Sequence, residues 1–276
     1  MAHAATMTAR PQSESKSPIP REHGAWGLLL QPFVAAGLLA DRWTWLLLPA
    51  LGLILFGFLL REPLIVLARQ RFVWRTPNPQ TPIAVRWLAV ESAGALLCLA
   101  VLAARLPLVE LAILAATALA LTILAVWLTI RNRQRSIPLQ IVSAAGLATT
   151  ALLSLLTTNG AIPAWGWILW GVLSAHGAAS ILVVHTRLDL KILQRQSKPT
   201  PVPLTAYLPA ALQLLAAVAI PTAALPLVFS AGIAIFELTR LPRTLDEPLM
   251  RVGFRALAVS ISHALLAVYA LWPLAH

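Results

Sequence analysis

Several ionisable and amide side chains stand inside long apolar stretches of this chain, where hydrocarbon would penalise them. They are Gln31, Glu91, His176, Gln213, His263 and, at the ends of such stretches, Arg61, Glu62, His185 and Glu237. A charge at the centre of a bilayer is disfavoured by roughly 2.5 kcal/mol or more, so embedded polar groups point to function or to a partner. At about 1.5 Å per residue, Gln31, Glu91 and His176 lie about 10 to 12 Å from the basic ends of their stretches. Gln213 and His263 fall nearer the midplane. A polar cavity opening toward the cytoplasm would satisfy the group together. The alternative is a local partner for each: Arg86 for Glu91, Glu62 or Glu237 for Arg61, and a backbone carbonyl for His176.

Other candidates lie between the stretches. His185 and Asp189 are spaced i, i+4 and share a helix face, as an acid–base pair or two metal ligands would; two ligands are too few for a metal site, and Asp189 has Arg187 and Lys191 beside it. Arg69, Arg71 and Arg75 are spaced to grip an anion through charge-assisted bonds, with Asn78 in the proline-rich segment after them. Arg187 and Lys191 offer the same chemistry. At the start of the first stretch, Arg21-Glu22-His23-Gly24-Ala25-Trp26-Gly27 sets an ionisable triplet beside two glycines and a tryptophan. His23 would stand at the mouth of the cavity, and Trp26 would anchor the interface.

The elements that must position these residues are nine apolar runs, at 24 to 40, 43 to 60, 83 to 104, 106 to 130, 137 to 157, 161 to 184, 202 to 219, 222 to 238 and 250 to 272. Each approaches the ~20 residues that a helix needs to cross ~30 Å of hydrocarbon. Apart from Arg42 and Arg105, every lysine and arginine falls before the first run, in alternate gaps after it or, as Arg86, Arg251 and Arg255 do, in the first residues of a run beside such a gap. The positive-inside rule then places the N-terminus in the cytoplasm and His276 outside. The expected fold is an all-α polytopic membrane bundle of nine transmembrane helices.

Composition narrows the function classes. The chain has 276 residues, of which 59% are hydrophobic and 11% charged, so the spans leave no room for a soluble domain. A formal charge of +11 would suit nucleic acid, but basic residues confined to one side of a membrane are explained by topology and anionic headgroups. Nucleic acid is not an expected partner. One cysteine, Cys98 within the third run, leaves no intramolecular disulfide and no cysteine metal site. Residues 1–20, rich in serine and proline, read as a disordered cytoplasmic tail; residues 21–276 form one membrane domain. The first run lacks a small-x-small cleavage site and reads as an uncleaved helix.

Four gaps on the outer side are only one to three residues long, which makes the helices they join antiparallel neighbours. Two inner gaps, 61 to 82 and 185 to 201, are longer and close in proline-rich stretches. They lie four helices apart, a spacing that suggests two related four-helix units and a ninth helix. Arg187, Lys191 and Arg195 recur at i, i+4, i+8, so the second gap reads as a short amphipathic helix at the interface; Leu64 to Arg71 allows the same reading in the first.

The string Pro20-Arg21-Glu22-His23-Gly24-Ala25-Trp26-Gly27, with Leu28 to Phe33 after it, resembles the opening of the YwiC-like family of integral membrane proteins. That resemblance implies a membrane protein. The nine-span layout, with long inner gaps after the second and sixth helices, is similar to the UbiA superfamily of prenyltransferases, which holds Mg²⁺ and a prenyl diphosphate on aspartate-rich motifs in those gaps. Here each gap has one acid, Glu62 and Asp189, so no metal ligand carries over and Mg²⁺ is not supported. The resulting expectation is a bacterial inner-membrane protein with a UbiA-like scaffold whose inward polar cavity binds or modifies a lipid or isoprenoid. A small-solute transporter and a non-enzymatic subunit of a larger complex are the alternatives. The bilayer and its anionic headgroups are the expected partners.

Overall fold

The computed structural model describes residues 23–40, 42–75, 79–133 and 136–276. Among them there is no strand. Nine apolar helical segments match the nine runs: seven are long enough to span a bilayer, and Ala25–Leu38 and Leu204–Ala219 are shorter. The protein is an all-α multi-pass membrane protein. The 1–20 tail, Arg21, Glu22, Asn78 and Arg135 lie outside the described residues, as do the side chains of His23 and Gly24.

The helices are α1 (His23–Leu38), α2 (Leu47–Leu59), α3 (Arg61–Arg69), α4 (Thr81–Ala103), α5 (Leu108–Ile130), α6 (Ile137–Ala148), α7 (Thr150–Asn159), α8 (Ala164–Arg195), α9 (Leu208–Ala219), α10 (Ala224–Thr244) and α11 (Leu249–Ala275). Proline sets many of their beginnings. Pro107, Pro163 and Pro248 immediately precede α5, α8 and α11, and Pro82, Pro138 and Pro209 fall in the first turns of α4, α6 and α9. There the missing N–H removes no helical bond, and the fixed φ suits helix entry.

Two spans are jointed. The second continues past its apolar run, as α2, α3 and a π-turn over Gln70–Trp74. Pro63 cannot donate to the Leu59 carbonyl and its ring crowds it, which accounts for the joint at Leu60. The segment anticipated as an interfacial helix in the first gap is therefore the end of a span. The fifth span breaks between α6 and α7, where Thr149 and Thr150 donate their hydroxyls back to the Gly146 and Leu147 carbonyls. Such back-bonding bends helices. Gly160, at φ 73°, closes α7 with its N–H on the Leu156 carbonyl, a left-handed cap for which glycine has no Cβ penalty.

The other anticipated interfacial helix is also the end of a span. α8 runs unbroken for 32 residues, about 48 Å, well beyond the hydrocarbon thickness. Leu188 and Ile192 are exposed, and Leu190 packs with Leu238, Leu241 and Leu245. The amphipathic spacing was legible; a separate element was not needed because no helix breaker precedes Arg195.

Every residue from Thr150 to Thr157 is buried, so α7 is the centre of the bundle, as an all-round buried helix must be. Its Ala151 and Leu155 join a core with α1, α8 and α11, and its Leu153 and Leu156 join another with α1, α2, α4 and α5. The two cores thus share α1 and α7, a division different from two successive four-helix units. α9 packs closely on α10, but α1 on α2 and α4 on α5 do not approach over an extended length, despite their short connections. α1 lies instead on α7, and α4 on α2. The small-residue contacts explain the second choice: Gly94 lies under the Phe56 ring and Gly52 under Cys98.

A Cβ at Gly94 would sit 2.7 Å from that ring. We expect Gly94→Ala to lower stability by about 1–3 kcal/mol, read as a reduced melting temperature in detergent by tryptophan fluorescence. Adding Phe56→Ala should make the Gly94→Ala step nearly neutral.

Candidate functional site

Polar side chains from five helices meet midway along the bundle. Gln31 of α1 and Ser260 of α11 are joined twice: the Gln31 amide donates to the Ser260 carbonyl at 2.6 Å, and the Ser260 hydroxyl donates to Gln31 Oε1 at 2.6 Å. His176 Nδ1 of α8 lies 2.9 Å from Ser230 Oγ of α10, the donor depending on the tautomer. The His176 ring stacks on that of His263 from α11, with centroids 4.2 Å apart and planes at 14°. Gln213 of α9 donates to the carbonyl of Ala175, next to His176, at 2.8 Å.

His263 is 0% exposed, and among the described residues neither of its ring nitrogens has a hydrogen-bond partner. An unpaired buried polar group costs about 1–3 kcal/mol, so an apolar ring would fit this place at less cost. Beside the stack is a cavity of about 10 Å³, the room that one water needs. Gln31, His176 and Ser260 supply its polar wall and Leu28, Pro32 and Leu173 much of its apolar wall. Pro32 has no N–H for the Leu28 carbonyl, which adds a backbone acceptor whose helical donor is missing. The cavity is narrow because α6 and α8 approach on small residues: a Cβ on Gly177 would lie 3.2 Å from that of Ala144. Trp170 Nε1 ties the same two helices through the Ala145 carbonyl at 3.0 Å.

Of the residues singled out by sequence, the structure brings Gln31, His176, Gln213 and His263 together and distributes the rest. Glu91 is buried on α4, on the face shared by Gly94 and Cys98 toward α2, with Oε2 unpartnered; Arg86 is exposed and forms no ion pair with it among the described residues. Arg61 pairs with Glu62 at 3.9 Å. Arg69 is half-buried and Arg75 exposed at the end of the α3 and π-turn segment, which packs on α4 and α5. His185 Nε2 meets Gln140 Oε1 at 3.0 Å, and Asp189 is exposed. Among the described residues, no three His, Cys, Asp or Glu side chains gather as metal ligands would. Trp26, expected to be an interfacial anchor, stands edge-on to Phe58 of α2 at 5.0 Å, a single ring contact between helices that do not otherwise run together.

Two arginines anchor the basic ends of the helices that carry the site. Arg187, expected as an anion ligand, is 4% exposed and donates to the carbonyls of Thr244, Leu245 and Glu247. These are orphan acceptors at the end of α10, where a cation also complements the helix dipole. Glu237 is held by Arg255 of α11 at 2.8 and 2.9 Å, and Arg255 also reaches Glu247 at 3.0 Å. Of the two acids expected for Arg61, it takes Glu62, and Arg255 takes Glu237 because α10 and α11 are packed neighbours.

Ser230, Ser260 and His263 were not among the sequence candidates for a ligand site. A serine in a span can bond its own helix and carries little signal. His263 was visible but stood at a different estimated depth from His176. The counting began at the basic end of each apolar run, whereas α8 continues well past that point.

Arg187→Leu should raise amide hydrogen exchange at residues 245–247 about tenfold, the loss of roughly 1.4 kcal/mol of local protection. Asp189→Ala, on the exposed side of the same helix, should leave that exchange unchanged. Hydrogen-exchange mass spectrometry on the detergent-solubilised protein checks both.

No curated protein and no solved structure matches the chain. The family model described as YwiC-like protein matches residues 19–155, which carry α1 to most of α7 and include Gln31, while His176, Ser230, Ser260 and His263 lie beyond it. Over this segment and the apolar helices that form it, the chain is similar to the YwiC-like family.

Proposed function

We propose that the protein binds a lipid or isoprenoid in the bacterial inner membrane, holding the polar end of that molecule in the cavity between α1, α6, α8 and α11. One observation carries this reading: Gln31, His176 and Ser260 converge on a cavity whose remaining wall is apolar. A mostly apolar pocket with a few converging polar groups is the usual form of a small-molecule site, and an amphipathic ligand matches both walls. In the present conformation the cavity takes a group the size of a water, so a headgroup enters when α1 moves away from α8. The helix suits that movement, since it is short and Pro32 interrupts its bonding.

The layout supports a UbiA-like scaffold with the basic ends in the cytoplasm. Nine apolar helical segments are present, and the two that extend furthest on the basic side, α2 with α3 and α8, belong to the second and sixth spans. Binding is the activity proposed. Among the described residues, no carboxylate cluster stands at these ends to seat the metal that diphosphate chemistry ordinarily uses.

Native mass spectrometry of the purified full-length protein tests the reading. A lipid or isoprenoid species enriched over the bulk membrane extract is expected, with occupancy reduced about tenfold in Gln31→Ala with Ser260→Ala, as the loss of about 1.4 kcal/mol of hydrogen bonding would give. No enriched species, or equal occupancy in the variant, would refute it.

A further inference from the structure

We infer that the stacked pair His176 and His263 is a proton-binding site: it takes up one proton, carried on His176, and that uptake opens the seam between α8 and α11. The geometry assigns different roles to the two rings. His176 has Nδ1 on the Ser230 hydroxyl and a place on the cavity wall with Gln31 and Ser260. As an imidazolium it would donate from both nitrogens, one to Ser230 Oγ and the other toward the cavity, where a water, Gln31 Oε1 or the Leu28 carbonyl can accept. Among the described residues His263 has no partner on either nitrogen. It is the neutral face on which His176 stacks in the closed seam; the attraction of such a face for a cation is small against the cost of leaving the charge dry. Two cations with ring centroids 4.2 Å apart would repel, so the pair takes one proton and no more.

An apolar ring at position 263 would stack equally well without two unpaired nitrogens. What imidazole adds is two nitrogens that, held without partners in this conformation, can acquire them when the seam opens. Among the described residues, no charged group has a recorded contact with the pair. On α8 the nearest titratable side chain is His185, bound to Gln140 of α6. On α10 it is Glu237; α11 carries Arg255, which holds Glu237, and the exposed Tyr269. α1 contributes Gln31 and, at its first residue, His23; α7 and α9 contribute no titratable group. The proton would therefore be the only unbalanced charge within this part of the bundle. A buried charge is tolerated only with water or added partners, which is why uptake drives α8 and α11 apart. This inference does not depend on the lipid reading, because protonation is read without a ligand.

The test uses the full-length protein, ¹⁵N-labelled at histidine, in nanodiscs between about pH 8 and about pH 5. One ring of the pair, assigned by its loss in His176→Phe, should change its imidazole ¹⁵N shifts reversibly. Over the same range, amide exchange in residues 172–180 and 256–266 should rise at least about fivefold, and this rise should vanish in His176→Phe. His263→Phe should keep the fold and the titration of His176, since the stacked face remains. The inference is overturned if neither ring titrates in that range. It is equally overturned if the exchange change persists in His176→Phe, or if His263→Phe abolishes the titration while its tryptophan fluorescence melting is unchanged. Should His176→Phe not fold, Ser230→Ala replaces it, and a titration identical to the parent then counts against the assignment.

Discussion

Hydrocarbon offers no hydrogen-bond partner, so each polar group carried into a span must find one in another helix, in its own backbone or in trapped water. Much of the bundle is arranged around that requirement. Thr150 gives its hydroxyl to the Leu29 carbonyl, joining α7 to α1; Gln31 and Ser260 join α1 to α11; His176 and Ser230 join α8 to α10; Gln213 joins α9 to Ala175. Packing then follows the ties. α1 lies along α7 and α11, leaving α2 to pair with α4 through small residues. The buried length of α7 completes both apolar cores from one position.

α8 is the hub of this network. Its middle holds His176, its basic end holds Arg187 and its opposite half packs Trp170 on α6. The basic residues consequently divide into two kinds. Most stand at the exposed ends of helices, where topology alone accounts for them. Arg187 and Arg255 do something different, since they close the end of α10 and fix it to α8 and α11. Helix capping and ion pairing account for these two residues as structural parts, so the anion-binding chemistry read from basic spacing is not what the structure shows Arg187 doing.

The family segment and the polar centre overlap only through α1. Residues 19–155 contain the opening motif, the jointed second and fifth spans and Gln31, while the histidines and serines that Gln31 approaches come from α8, α10 and α11. A site distributed in this way depends on the second half of the chain folding against the first. It also gives α1 a particular place: it is short, it carries Pro32, and one of its faces closes the cavity.

The sequence alone determined the number of apolar segments, their approximate limits and the side on which charge gathers. These properties follow from transfer free energy, which is additive along the chain and needs no knowledge of neighbours. It also identified His176 and Gln31 as residues too polar for their surroundings, for the same reason. It did not determine that α8 continues to Arg195, because amphipathic spacing is the same in a separate helix and in the end of a long one. Nor did it pair His176 with His263, Gln31 with Ser260 or Glu237 with Arg255. Those partners are 87, 229 and 18 residues apart in sequence, and only the packing of one helix on another decides which polar groups reach the same depth on facing sides. Glu91 shows the converse: equally conspicuous in sequence, it faces α2, away from the polar centre, because Gly94 and Gly52 bring those two helices together on that face.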